Sequence, residues 1–171
     1  MVDGYPVKEK ILNNLQSLGD DGSAADPATG LGLIDGTGTP ADWYTTVEKI
    51  TRIDGSPIDL DNFPAIIIIP VSADYDPEGT QGTTTIAAKY RVQLTLLIRT
   101  RDEAVQKIER FIRDAHKAIL VDRTRGSNAI WTRALADEVH YPTDDDEPFT
   151  TANLLIEMLY RTEIGNLNQP T

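Results

Sequence analysis

The chain has 171 residues, a hydrophobic fraction of 40% and a formal net charge of −11 at pH 7, which is enough apolar content for one sizeable core but short for two full domains. It contains no cysteine, which excludes disulfide frameworks and thiolate chemistry, and its acidity argues against a general nucleic-acid binder, since that role needs a concentrated lysine and arginine surface. The opening MVDGYPVKEK has no apolar signal region and the longest apolar run, Ala65 to Ile69, is far too short to cross a bilayer, so the expectation is a soluble protein made without export and without a membrane partner.

Pro6 suits the first position of a helix, and Val7, Ile11, Leu15 and Leu18 form an apolar stripe that stops at Gly19. From residue 19 to 44 the chain is rich in Gly, Asp, Thr, Ala and Pro and follows neither structural period, so it reads as a long loop or insertion. Compact domains keep a connection of that length when it is functional or becomes ordered against a partner. Thr45 to Ile53 reads as a strand that turns at Asp54-Gly55. Phe63-Pro64 then leads into AIIIIPV, apolar on both faces and therefore a covered strand, with Pro70 limiting its ladder. Asp74 to Thr83 reads as a hairpin tip, making this strand and the next antiparallel neighbours.

The stretch from Ala88 to Asp122 carries the clearest signals. Tyr90, Val92, Leu94, Leu96 and Ile98 fall on one face of an extended segment, and Arg91, Gln93, Thr95 and Arg99 mostly on the other, as in a half-buried strand. Thr100 and Glu103 have capping-box spacing, with Asp102 as a rival N-cap, and Val105, Ile108, Phe111, Ile112, Ala115 and Ile119 recur at helical spacing. A strand feeding straight into an amphipathic helix implies that the helix packs back over the sheet. Asp122 to Ser127 reads as a polar turn, Asn128 to Val139 as an irregular strand, and Thr150 to Thr162 as a closing strand in preference to a helix. Residues 165–171 form an expected mobile tail. The fold class read from this order is α+β in one domain spanning 1–171: a mainly antiparallel sheet flanked by two helices, with long acidic loops.

No catalytic, cofactor-binding or metal constellation emerges. Gly30, Gly32 and Asp35 give half of a dinucleotide fingerprint without its third glycine or a preceding strand. The run Asp144, Asp145, Asp146, Glu147 lacks the alternating spacing of a calcium loop. His116 and His140 are the only histidines, and neither belongs to a zinc or nucleophile motif. The expectation is therefore a protein that is not an enzyme and takes no cofactor, with a small soluble hydrolase as the alternative of a different class.

Charge distribution says more than total charge. The segments 19–44, 54–88 and 137–148 hold acidic residues and no lysine or arginine, whereas 99–125 has eight basic residues against five acidic ones. Acid sits in the expected loops and base on the main helix and its ends. Solvated acidic loops explain this blandly; two surfaces of opposite sign meeting between subunits is the sharper reading. Lys107, Arg110, Arg113 and Lys117 are the candidate interface with another subunit or a partner, and Asp20, Asp21, Asp144, Asp145, Asp146 and Glu147 the candidate partner-facing acid.

The order of elements, and the phrases FPAIIII, KYRVQLTLLIRT, RFIRDAHKAI, HYP and IEMLYRT, resemble the small neck and tail proteins of tailed bacteriophages, nearest the tail terminator (tail completion) type. That resemblance implies an α+β subunit forming a homo-oligomeric ring, a hexamer, that caps the tail tube as a structural virion protein, stops its polymerisation and forms the joint to the head. The partners it implies are other copies of the chain, the tail tube protein, neck or connector proteins, and a sheath protein if the tail is contractile. DNA would pass through the lumen without specific binding, and the location would be the neck region of the virion, assembled in the host cytoplasm. The 19–44 segment departs from a minimal member. Another neck component, a head-closure or tail-to-head joining protein, is the alternative within the same class.

Overall fold

A computed structural model of the chain describes residues 7–16, 47, 49–53, 62–76, 85–99, 102–142, 149–163 and 166–170. Its elements in order are α1 (Val7–Gln16), β1 (Lys49–Arg52), β2 (Ala65–Asp76), β3 (Thr85–Ile98), α2 (Ala104–Val121), β4 (Trp131–His140), β5 (Thr150–Glu163) and β6 (Asn166–Pro170). The sheet runs β1-β2-β3-β5-β4, with β6 paired to the end of β5. The β1 and β2 strands are parallel and the other pairs antiparallel, so the sheet is mixed and two helices flank it, an α+β fold.

Register explains why the helices lie where they do. Reading across the strands, Ile68, Leu94 and Leu154 share one row, Ile66, Leu96 and Ala152 the next, and Val92 and Ile156 another. These side chains are buried and form one cluster with Val7, Ile11 and Leu15 of α1 and with Ile108, Phe111, Ala115 and Ile119 of α2. Both helices therefore cover the same sheet face. Each strand supplies alternate residues to it, as a period-2 pattern requires, and α2 packs across β3, β5 and β4 while α1 lies against β1, β2 and β6.

Several sequence expectations change in detail. Helix α2 begins at Ala104 with Glu103 before it at φ 57°, in the left-handed region, and no side chain caps it. The expected capping box does not form, because Glu103 is used for the turn and only its main-chain oxygen serves the helix, accepting the Lys107 N–H at 2.9 Å. Val105 is 57% exposed and leaves the apolar stripe. Pro70 does not end the β2 ladder: pairing continues to Asp76 through a bulge between Pro70 and Ser72, so Asp74 to Asp76 belong to the strand and not to a hairpin tip. Asn166–Pro170, read as a tail, form β6. Thr100 and the 19–44 loop lie outside the described residues.

The turn after α2 holds a feature with no counterpart in the sequence reading. Arg125, at φ 50°, is completely buried. Its Nη2 donates to the main-chain oxygens of Ile119 and Asp122, and Nη1 donates to Asn14 Oδ1 at 3.3 Å. A guanidinium thus satisfies carbonyls that a helix C-terminus leaves without intrahelical partners and ties α2 to α1. Asp122 closes the turn, accepting from the Thr124 N–H at 3.0 Å and the Gly126 N–H at 2.6 Å. Burial lowers the Arg125 pKa to about 10, opposed by the Asp122 charge, so the side chain remains cationic at neutral pH.

Candidate interaction surfaces

Lys107, Arg110 and Arg113 are exposed on α2 and Lys117 is half-buried. At 3.6 residues per turn the four span roughly a third of the helix circumference, away from the stripe of Ile108, Phe111, Ala115 and Ile119 that faces the sheet. The structure thus brings the basic candidates together on the outer face of the helix layer. Exposed Val105 and Leu120 add apolar area to the same helix. The acidic candidates Asp20, Asp21, Asp144, Asp145, Asp146 and Glu147 lie outside the described residues. His116 sits at the margin of α2 with Nε2 4.0 Å from Asp137 Oδ2 of β4, a boundary position.

The second surface is the sheet face opposite the helices. Three rows cross it: Asp74, Lys89, Leu159 and Trp131; Ser72, Arg91, Glu157 and Arg133; Ile69, Gln93, Leu155 and Ala136. Among the described residues no helix or strand lies over these rows. At their centre Glu157 is nevertheless only 1% exposed, because its two cross-strand neighbours close over it. Arg133 donates from Nε at 3.0 Å and from Nη2 at 2.6 Å to Oε1, and Arg91 donates from Nε to Oε2 at 3.0 Å. Arg91 also reaches Asp74 Oδ2 at 3.3 Å, and the Arg133 guanidinium lies 4.9 Å from the centre of the Trp131 ring.

A carboxylate so placed costs desolvation energy unless it is fully paired. Burial alone would raise the Glu157 pKa; hydrogen bonds from Arg91 and Arg133, and their charges, outweigh it and hold the carboxyl below its ordinary value. Farther along the same face Thr95 Oγ1 donates to Asn153 Oδ1 at 2.9 Å and accepts from Gln93 Nε2 at 3.1 Å. The sequence marks Arg91 as outward-facing on β3, but the partnership with Glu157 and Arg133 depends on pairing register, for which no local signal exists.

At the far end of the helix-covered face, Tyr75 and Tyr90 meet Lys8, and Tyr160 packs against Tyr90. The ammonium lies 5.5 Å and 5.8 Å from the ring centres of Tyr75 and Tyr90, and the rings of Tyr90 and Tyr160 meet edge to face at 6.5 Å. A hydrogen bond from Lys8 lowers the Tyr75 pKa, whereas burial raises Tyr90 to about 12 and also raises Tyr160. The arrangement is packing with a cation seated on aromatic faces. Among the described residues no group of His, Cys, Asp and Glu is placed to hold a metal ion, and no helix is long and apolar enough to cross a membrane.

Comparison with protein-family models finds no match for this chain, and comparison with curated proteins likewise finds none.

Proposed function

We propose that this chain is a ring-forming structural subunit of a tailed-phage neck, of the tail-terminator type, which caps the tail tube, stops its growth and joins it to the head. The observation that carries this reading is the opposition of two chemically different surfaces: a basic strip on the outer face of α2, and on the far side of the sheet a mixed face built around Glu157, Arg91, Arg133 and Trp131. A ring needs head-to-tail contacts in which one patch meets a different patch on the next copy. A subunit with opposed, unlike faces fits that demand better than one with a single self-complementary patch. The net charge of −11 adds support, since an acidic lumen repels phosphate and lets DNA pass without being held.

Binding energy at such contacts comes mostly from shape and apolar burial, with charge setting orientation and rate. Lys107→Glu combined with Arg110→Glu therefore weakens ring formation or tube capping while leaving the subunit folded, and the residual assembly depends less on salt than that of the parent. Tails made in the absence of the protein are overlong and fail to join heads. Tails of normal length joined to heads would remove the terminator reading.

A further inference from the structure

The Glu157 cluster does more than satisfy a buried charge. A carboxylate pinned beneath two arginines fixes both guanidiniums in place, and it does so on the face that no described element covers. Arg133 remains 56% exposed and Arg91 38%, so each retains outward-facing surface although its orientation is set from below. Trp131, Leu155 and Leu159 flank them half-buried. Tryptophan and arginine are the residue types that dominate binding hot spots, and side chains held rigid in advance lose less entropy on contact.

The patch also has a sign. Lys89 and Arg161, both exposed, lie on the same face as Arg91 and Arg133, so across these rows four basic residues stand beside the three acidic positions Asp74, Asp76 and Glu157. The chain as a whole carries an excess of acid, and β4 itself changes sign along its length, from Arg133 to the exposed Asp137 and Glu138. A second copy therefore brings the carboxylates that this patch lacks, and the two contacting surfaces differ, as a heterologous contact requires. We infer that the open-face patch centred on Trp131, Arg133 and Arg91 is the docking site for a second copy of this chain, whose carboxylates meet the two guanidiniums while its surface covers the Trp131 ring. This rests on the ring reading and assigns one of its interfaces.

The chain has two tryptophans, so Trp43→Phe leaves Trp131 as the sole indole reporter. Sedimentation velocity and tryptophan emission are followed together over a concentration series up to the millimolar range. The expected result is self-association accompanied by a blue shift of Trp131, with Lys89→Glu weakening association about tenfold or more at an unchanged melting temperature and Arg133→Ala weakening it at least as much while also lowering the melting temperature, because the buried Glu157 carboxylate loses a partner. Association with unshifted emission and with both variants as tight as the parent overturns this site and leaves rings built from other surfaces standing. A parent that stays monomeric throughout overturns this site and leaves standing a ring that forms only on tube ends through other surfaces.

Discussion

The two faces of one sheet solve the same burial problem by different chemistry. On the helix side the apolar side chains of Val92, Leu94, Leu96, Leu154 and Ile156 are buried beneath α1 and α2. On the other side Glu157 is buried just as fully but beneath Arg91 and Arg133. The first face draws its stability from area removed from water and from close packing. The second draws less from the subunit alone, because arginines that remain partly exposed gain little from pairing. What the second face has in exchange is arginine surface still open to solvent.

Substitutions should separate the two. Phe111→Ala, beneath the centre of α2, should cost about 3–5 kcal/mol through lost burial and a residual cavity, a large part of the roughly 5–15 kcal/mol that holds a domain of this kind together. Chemical denaturation measures it, and a loss below about 1 kcal/mol would contradict the packing described. Arg125→Met should cost about 2–3 kcal/mol, because the carbonyls of Ile119 and Asp122 lose a buried donor; hydrogen exchange should then show the last turn of α2 opening first. An unchanged exchange pattern would mean that solvent serves those carbonyls equally well.

Glu157→Gln should cost less, about 1–2 kcal/mol, since both arginines can return to water. Its signature is pH. The folded carboxyl titrates lower than an ordinary one, so its stabilisation is full above the usual carboxylate range and is lost as pH falls through that range toward the folded value. The parent should lose stability over that window more steeply than Glu157→Gln, and parallel pH profiles would rule out the pairing. Smallest of all, Lys107→Ala should stay within about 0.5 kcal/mol of the parent, because the side chain lies on the outer face of α2; any defect it causes should appear in assembly.

The same comparison shows what a sequence can and cannot disclose. Alternation in β3 and β5 is uninterrupted, so Val92, Leu94, Leu154 and Ile156 could be assigned to one face from spacing alone. In β4 the alternation changes phase. Thr132 and Ala134 lie on the helix side, then a bulge at Leu135 shifts the pairing and Asp137 and Val139 take that side. The bulge at Val71 does the same in β2, passing the helix side from Ile68 and Pro70 to Ala73 and Tyr75. An inserted residue leaves no mark on composition, and it erases the period on which assignment depends. That is why β4 reads as irregular and β2 as ending early.

The candidate surfaces follow the same division. The basic strip of α2 was legible because helical spacing alone places Lys107, Arg110, Arg113 and Lys117 away from the apolar stripe. The patch around Glu157 was not, because Arg91, Arg133 and Glu157 come from three strands and meet only through register. Arg125 was hidden for another reason: a positive φ at a non-glycine residue and a partner in α1 are long-range facts without a local sequence pattern.

The central claim is that this subunit works as part of a closed ring on the end of a tube. Its most direct test is the native mass of the protein measured in dilute solution and again after addition of purified tail tubes. The account predicts one discrete ring mass on tube ends, with tube elongation arrested there; a protein that remains monomeric in both conditions, with tubes still growing, would contradict it.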